Sequence, residues 1–390
     1  MAVRFILCGG DHLEIYLDQA ATSHPKPQCV LTAVQDALTA SNGNPGRSGH
    51  QRALTAARLV MHAREVLARL LNAPYPDCII FCFNCTDALN TAIKGSLHVG
   101  DHVITSSLEH NSVLRVLEGL SQKSLISVSI INPEPNGAID PDKIAKAIRP
   151  NTSLCILTHA SNVTGAIQPV AAVGALMKKY GVRYLIDGAQ AIGHIPVDIQ
   201  ALQCDLYAFP GHKALLGPQG TGGLCIAPGV RLRPFREGGT GSSSDSILQP
   251  TEQPEGFESG TANLPGIAGL SAGTELVYSE QTAHLLTERR LTGMLWKGLS
   301  EIPGISLYTP EDAASRVGVV SFNIGDQLTS SEAADRLDAL NIAVRGGIHC
   351  APLAHKWLGT LNRGAVRASL SWQNTDKDIE TFLTAVRSLR

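Results

Sequence analysis

Two charged residues stand where strands would deliver them to one crevice. The apolar run at residues 182–186 ends at Asp187 and is followed by the small residues Gly188 and Ala189, which is how a buried parallel strand presents a polar side chain at its carboxyl end. A second run, residues 205–209, opens into Pro210-Gly211-His212-Lys213. An aldehyde cofactor with a basic ring nitrogen needs both groups, an amine to form a Schiff base and an acid to hold the pyridinium. A second constellation, Arg345-Gly346-Gly347-Ile348-His349-Cys350-Ala351-Pro352, lies near the C-terminus. Its glycines and proline predict a flexible, exposed loop, and Arg345 and His349, when positive, favour the thiolate of Cys350, the nucleophile of sulfur transfer. An ordinary loop cysteine is the plainer alternative, and a His349/Cys350/His355 metal cluster lacks standard ligand spacing. Arg367 offers a planar fork suited to a carboxylate, or is a surface charge.

These residues need elements to position them, and the chain alternates strand and helix as an α/β fold does. The strand at 78–83 ends at Asn84-Cys85-Thr86-Asp87, where Thr86 would cap a helix through Ile93 and leave backbone N–H groups free for a phosphate. Capping alone accounts for Thr86 equally well. The strand at 101–105 runs into Ser107-Leu108-Glu109-His110-Asn111-Ser112, and the strand at 154–158 runs into residues 159–165, which include Asn162. In a parallel sheet such ends lie on one edge, so Thr86, His110, Asn162, Asp187, Gln190, His212 and Lys213 would share one crevice. Singly, a histidine is more often surface or core than catalytic, and Asn162 with Gly165 makes an ordinary turn. Their coincidence at successive strand ends carries the argument.

The chain of 390 residues, 44% hydrophobic, is long enough for two domains. We expect a large α/β domain at 15–262 and a smaller α+β domain at 263–390, with residues 1–14 packing against the latter. The smaller domain follows a long helical region at 262–299 and contains strands at 320–324 and 366–371 and helices at 331–340 and 376–389. Basic residues number 32 against 34 acids, which leaves no electrostatic footprint for nucleic acid or an anionic membrane. The run Phe5-Ile6-Leu7-Cys8 is too short for a signal peptide, and no apolar run spans a bilayer, so a cytoplasmic protein is expected. Nine cysteines without regular spacing indicate reduced thiols. Cys82 and Cys85 form a CxxC with no second pair, a weak metal or redox candidate. The glycine-rich stretches 217–223 and 238–244 match neither a dinucleotide fingerprint nor a P-loop. The loop at 42–50 either approaches a ligand or is a surface connection.

From Tyr16 to the C-terminus the sequence resembles the cysteine desulfurases and selenocysteine lyases. These belong to the class V aminotransferase branch of the fold-type I pyridoxal-phosphate enzymes. The resemblance runs through YLDQAATS, NPGRSGH, NCTDALN, LEHNSV, SNVTG, DGAQ, GHK, FESGTAN, RGGIHCAP and VRASL. It implies a mostly parallel sheet covered by helices plus a smaller α+β domain. It also implies that Lys213 carries pyridoxal 5'-phosphate, Asp187 pairs with its ring nitrogen, Gln190 contacts its phenolic oxygen and His110 stacks on the ring. Thr86 and His212 would bind the phosphate. Asn162, also at the cofactor, and Arg367 would hold the carboxylate of L-cysteine or selenocysteine. Cys350 would take the sulfur as a persulfide, releasing L-alanine. The family's homodimers imply that Thr261 reaches the neighbouring subunit's phosphate, and the compact segment around Cys350 resembles the branch served by a sulfur-acceptor protein. Two positions depart from the pattern: Pro210 replaces a serine or threonine hydroxyl, and Cys85 replaces a threonine. The alternatives are transamination or another β-elimination on the same scaffold, or a cofactor-binding protein without catalysis. No metal is implied.

Overall fold

The apolar runs that end in polar residues become strands of one sheet. The computed structural model describes residues 14–40, 43–45, 49–241 and 245–389. In chain order the elements are β1 (Ile15–Tyr16), α1 (Gln28–Thr39), α2 (Gln51–Leu71), β2 (Ile79–Cys82), α3 (Cys85–Ser96), β3 (Asp101–Ser106) and α4 (Asn111–Ser121). They continue with β4 (Ile126–Ile131), α5 (Pro141–Ala147), β5 (Thr152–Thr158), α6 (Val170–Tyr180), β6 (Arg183–Asp187), β7 (Leu206–Pro210) and β8 (Gly222–Ile226). Seven strands form a sheet in the order β2-β8-β7-β6-β5-β3-β4. Only β8 runs against its neighbours, antiparallel to both β2 and β7, so β2 points the same way as the other five and its end reaches the same edge.

Alternation along the strands divides two cores between the faces of this sheet. Cys155, Leu157, Tyr184, Ile186, Tyr207 and Phe209 enter one core, while Leu154, Ile156, Leu185, Leu206 and Ala208 enter the other, as a side-chain period of two requires. Helices cover both faces, so the middle strands read as continuous apolar runs. Their carboxyl ends are where polar residues can emerge without entering either core.

The helix α7 (Leu264–Ser300) then leads to β9 (Ile305–Leu307), β10 (Val319–Ile324), α8 (Ser330–Asp338), β11 (Ile342–Ala343), β12 (Arg345–Gly347), α9 (Pro352–Leu358), β13 (Ala365–Ser369) and α10 (Asp376–Ser388). Capping boxes at Thr329/Glu332 and Thr375/Asp378 start α8 and α10. A second, antiparallel sheet has the order β12-β13-β10-β9. At the other end of the chain β1 pairs in parallel with β11, and Leu17 is buried in the core of this second sheet. Asp18 is thereby carried to β13, where it bridges Ser369.

The two sheets meet along their connecting turns. Val317 N–H donates to Gly165 O at 3.0 Å, and Glu288 on α7 accepts from Gly318 N–H at 3.0 Å while pairing with buried His194 at 2.8 Å. The expected packing of residues 1–13, together with Asn42, Gly46, Arg47 and Ser48 of the first long loop and Ser242, Ser243 and Ser244 of the second glycine-rich stretch, lies outside the described residues. Among the described residues no helix is long and apolar enough to cross a membrane, and no group of three or more His, Cys, Asp or Glu could hold a metal ion.

Candidate active site

The strand ends enclose a cavity of about 230 Å³ at the carboxyl edge of the large sheet. Thr86, His110, Asn162, Asp187, Gln190, His212 and Lys213 all line it, joined by Arg367 from β13. Two residues named from the sequence stand elsewhere. Thr261 is exposed beside Arg236 and Glu258 in a separate depression. Cys350 lines a larger groove of about 970 Å³ formed with α4, although its neighbours Arg345 and His349 line both spaces.

Asp187 ends β6 only 2% exposed. Its Oδ1 accepts from Ala189 N–H at 3.0 Å and from the Cys85 thiol at 3.5 Å, and its Oδ2 has no hydrogen-bond partner among the described residues. Burial and Asp187 push the Cys85 thiol well above its usual range, and burial does the same to Cys82. The CxxC is thus two protonated thiols, one of them a donor to Asp187. Lys213 follows β7, and its Nζ makes no hydrogen bond or ion pair among the described residues. Burial lowers its pKa and the nearby Arg367 adds to the effect, so the amine gives up its proton more readily, as a nucleophilic or proton-moving lysine must. Pro210 is buried in β7 opposite Gly222 and lines the cavity without a hydroxyl.

His110 caps α4 with its ring: Nδ1 accepts from Ser112 N–H at 3.1 Å. Burial lowers its pKa against the pull of Asp187, so the neutral ring carries its proton on Nε2. His212 is held neutral at about 4 by burial, Lys213 and Lys26, with Nδ1 3.2 Å from Thr22 Oγ1. The expected cap on α3 is corrected: Asn84, not Thr86, caps the helix, accepting from Asp87 N–H at 2.9 Å. That leaves Thr86 exposed in the first turn of a twelve-residue helix, its hydroxyl without a partner among the described residues. Gln190 Nε2 donates to Ala20 O at 3.0 Å, and its Oε1 is buried without a partner.

Arg367 is no surface charge. It is 1% exposed, with Nη2 donating to Asp18 Oδ1 at 2.8 Å and Nη1 to Asn162 O at 3.2 Å. Its Nε is buried and unpartnered, and leaving such a donor unmade costs about 1–3 kcal/mol. A carboxylate in the cavity would relieve that cost. Asn162 directs its Nδ2 to His349 O at 2.7 Å, so it is tied to the turn that carries Cys350.

That turn is neither loose nor fully exposed, contrary to its glycine-rich composition. β12 pairs with β13, Arg345 opposite Arg367. His349 is 3% exposed, and His349 and Cys350 take left-handed φ values of 51° and 57°. Asn111 N–H at the head of α4 donates to Cys350 O at 2.7 Å. The expected charge on His349 is also corrected: burial and the nearby Arg367 push its pKa down to about 2, so the ring is neutral. The cation beside the thiol is Arg345, whose Nη2 lies 3.9 Å from Cys350 Sγ.

Sequence reasoning passed over Glu109, which immediately precedes His110 and is fully buried. Its Oε1 accepts from Ser106 Oγ–H at 2.5 Å and from Thr158 N–H at 3.0 Å, locking the turn before α4 to the end of β5. A carboxylate at a strand end was the signal used for Asp187, and it applied here too. Burial raises the Glu109 pKa from 4.5 to about 8. Between these values the folded protein keeps a proton that the unfolded chain has lost. Stability should therefore fall as pH rises across this window, by up to about 1.4 kcal/mol per unit. Unfolding measured across that range should show the decline in the wild type and a flatter profile in Glu109→Gln; identical slopes would refute the assignment.

A mostly parallel sheet under helices, with a lysine and an aspartate at neighbouring strand ends and a smaller α+β part closing the cavity, is the architecture of the fold-type I pyridoxal-phosphate enzymes. The chain belongs to the aminotransferase class-V family, whose sequence profile matches residues 15–382. Among its relatives, a probable cysteine desulfurase of Methanothermobacter thermautotrophicus is 34% identical over 95% of this chain and 92% of its own. A cysteine desulfurase of Salmonella agona is 32% identical over the same shares. The apo structure of a cysteine desulfurase from Thermococcus onnurineus NA1 superposes with a TM-score of 0.90 at 32% identity, covering 96% of this chain and 94% of that one.

Proposed function

We propose that the protein is a pyridoxal-phosphate-dependent cysteine desulfurase that converts L-cysteine to L-alanine and leaves the sulfur as a persulfide on Cys350. Selenocysteine would be the alternative substrate. The observation that carries this reading is the adjacency of two spaces. One holds Lys213, Asp187 and Arg367; the other holds Cys350; Arg345 and His349 line both. The relatives that match over nearly the whole chain and are named cysteine desulfurases support it.

The residues present fit the cofactor. Asp187 offers an unpaired oxygen, Gln190 a buried Oε1 without a partner, and α3 the free N–H groups of its first turn. When bound, pyridoxal phosphate would withdraw electrons from bonds at the substrate's Cα and Cβ. Lys213 would hold it and then, displaced by substrate, move protons at those carbons. Asp187 would keep the ring nitrogen protonated, and His110 would cover the ring face. Thr86 and neutral His212 would contact the phosphate, with no hydroxyl from Pro210 to help. Arg367 would orient the substrate carboxylate, with Asn162 beside it. Attack of Cys350 Sγ on the substrate sulfur would form an S–S bond as the Cβ–S bond breaks. The electron pair would stay with the carbon skeleton, which takes up a proton and leaves as alanine.

The same reading divides the chain into a cofactor-binding part at 15–262 and a smaller part at 263–390, with β1 crossing to the latter. Thr261, exposed and away from the cavity of its own chain, would serve the phosphate site of a second copy in a homodimer. A sulfur-acceptor protein would clear Cys350, and the eight free cysteines among the described residues suit the reducing cytoplasm. The test is an absorbance spectrum of the purified protein with borohydride trapping, followed by cysteine and a dithiol with alanine and sulfide assayed together. Stoichiometric alanine and sulfide are expected. Sustained turnover only with a keto-acid co-substrate would replace this reading by transamination.

A further inference from the structure

We propose that His355, supported by Thr360, is a positioning residue for Cys350, fixing the turn that holds the thiol through a directional chain of buried hydrogen bonds. The inference rests on the role proposed for Cys350, but the geometry stands on its own. His349 Nε2 lies 3.1 Å from Arg345 O. A carbonyl only accepts, so Nε2 carries the proton of the neutral ring and Nδ1 is left as an acceptor. Facing that Nδ1 at 3.3 Å is His355 Nε2, which must donate. His355 Nδ1 is then an acceptor, and Thr360 Oγ1 supplies the proton at 2.8 Å. Thr360 Oγ1 also lies 3.5 Å from His355 O, but the nearer Nδ1 takes its proton, and the chain runs from Thr360 through His355 and His349 to the Arg345 carbonyl.

The chain is wholly interior: His355 is 0% exposed, and His349 and Thr360 are each 3% exposed. It spans the segment between β12 and β13 in which His349 and Cys350 hold left-handed backbone. Non-glycine residues persist there only where surrounding contacts over-determine them. The charged and titratable groups facing His349 are Arg345, Arg367 and His355. None of these is a carboxylate that would stabilise a second proton on the ring. Protonation would turn the Nδ1 acceptor into a donor aimed at another donor and break the chain. Without His355, the buried Nδ1 of His349 loses its partner and the turn loses its inner support.

The experiment uses the cofactor-loaded protein with three substitutions. His355→Leu keeps bulk but removes both ring contacts. His355→Gln retains an N–H donor near the position of Nε2. Thr360→Val removes only the hydroxyl. The readouts are the pH profile of Cys350 alkylation by iodoacetamide, followed by peptide mass spectrometry, and the separate kcat and KM for alanine formation. His355→Leu should shift the alkylation profile and lower kcat on the order of ten- to a hundredfold, with KM and cofactor absorbance unchanged. His355→Gln should recover most of kcat, and Thr360→Val should move both readouts in the same direction by a smaller factor. A wild-type alkylation profile in both His355→Leu and Thr360→Val would overturn the proposal. If His355→Leu does not fold, an unchanged Thr360→Val decides against it alone. Alkylation reads the placement of Cys350 whether or not that residue carries sulfur, so failure of the functional reading would be seen separately, as wild-type alanine formation by Cys350→Ala.

Discussion

Alanine formation from cysteine is expected to fall by a factor on the order of 10³ or more in Lys213→Ala, because on the proposed reading one amine would both hold the cofactor and move protons, and proton transfer alone contributes about 10²–10⁴. Among the described residues Lys213 is the one lysine lining the cavity, and its depressed pKa comes from burial with Arg367 and Arg345 nearby. The remaining cavity residues still offer sites for ring nitrogen and phosphate, so the variant should bind cofactor without a covalent link. Borohydride should then fix no cofactor to the protein, whereas in the wild type it should label the peptide containing Lys213. A sharp alternative stands close by. Lys26 donates to His212 O at 2.9 Å, and burial lowers its pKa to about 8. Label appearing on Lys26 in the wild type, or wild-type turnover in Lys213→Ala, would take the assigned role away from Lys213.

Cys350→Ala should separate sulfur removal from cofactor binding. Cys350 lies outside the cavity that contains Lys213 and Asp187, so cofactor absorbance and its change on adding cysteine should survive. Alanine release from cysteine should drop on the order of a hundredfold or more, the scale of losing a nucleophile. Selenocysteine should lose less, because selenium leaves without needing a thiol to accept it. Cysteine turnover equal to the wild type would remove Cys350 from the mechanism, and loss of the absorbance would mean that the substitution damages the cavity.

Much of this arrangement was legible because strand ends in a parallel sheet are a geometric certainty once the strands are found. The apolar runs before Asp187 and His212 name their own sheet positions, and seven residues chosen on that rule line one cavity. What stayed hidden depends on partners distant in sequence. Nothing in the run Gly222–Ile226 says that β8 is antiparallel. Thr86 and Asn84 are both good caps, and only the backbone geometry selects Asn84. The glycines around Cys350 signalled looseness, yet the turn is tied to Asn111, Asn162 and β13, partners that no local pattern names. Glu109 and Asp18 were readable as types but not as partners, since Thr158 and Arg367 lie far along the chain.

The fastening of Cys350 decides who would have to travel if that residue carries sulfur as proposed. The backbone around it is tied to Asn111, to Asn162 and to β13, so the residue cannot swing outward like an arm. If Cys350 carries the sulfur as proposed, a recipient would have to reach it through the groove that Leu114, Arg115 and Leu353 help to line. Such a recipient would need its accepting thiol on a projection slim enough to enter, and one whose thiol sits flush with a broad surface would go away empty.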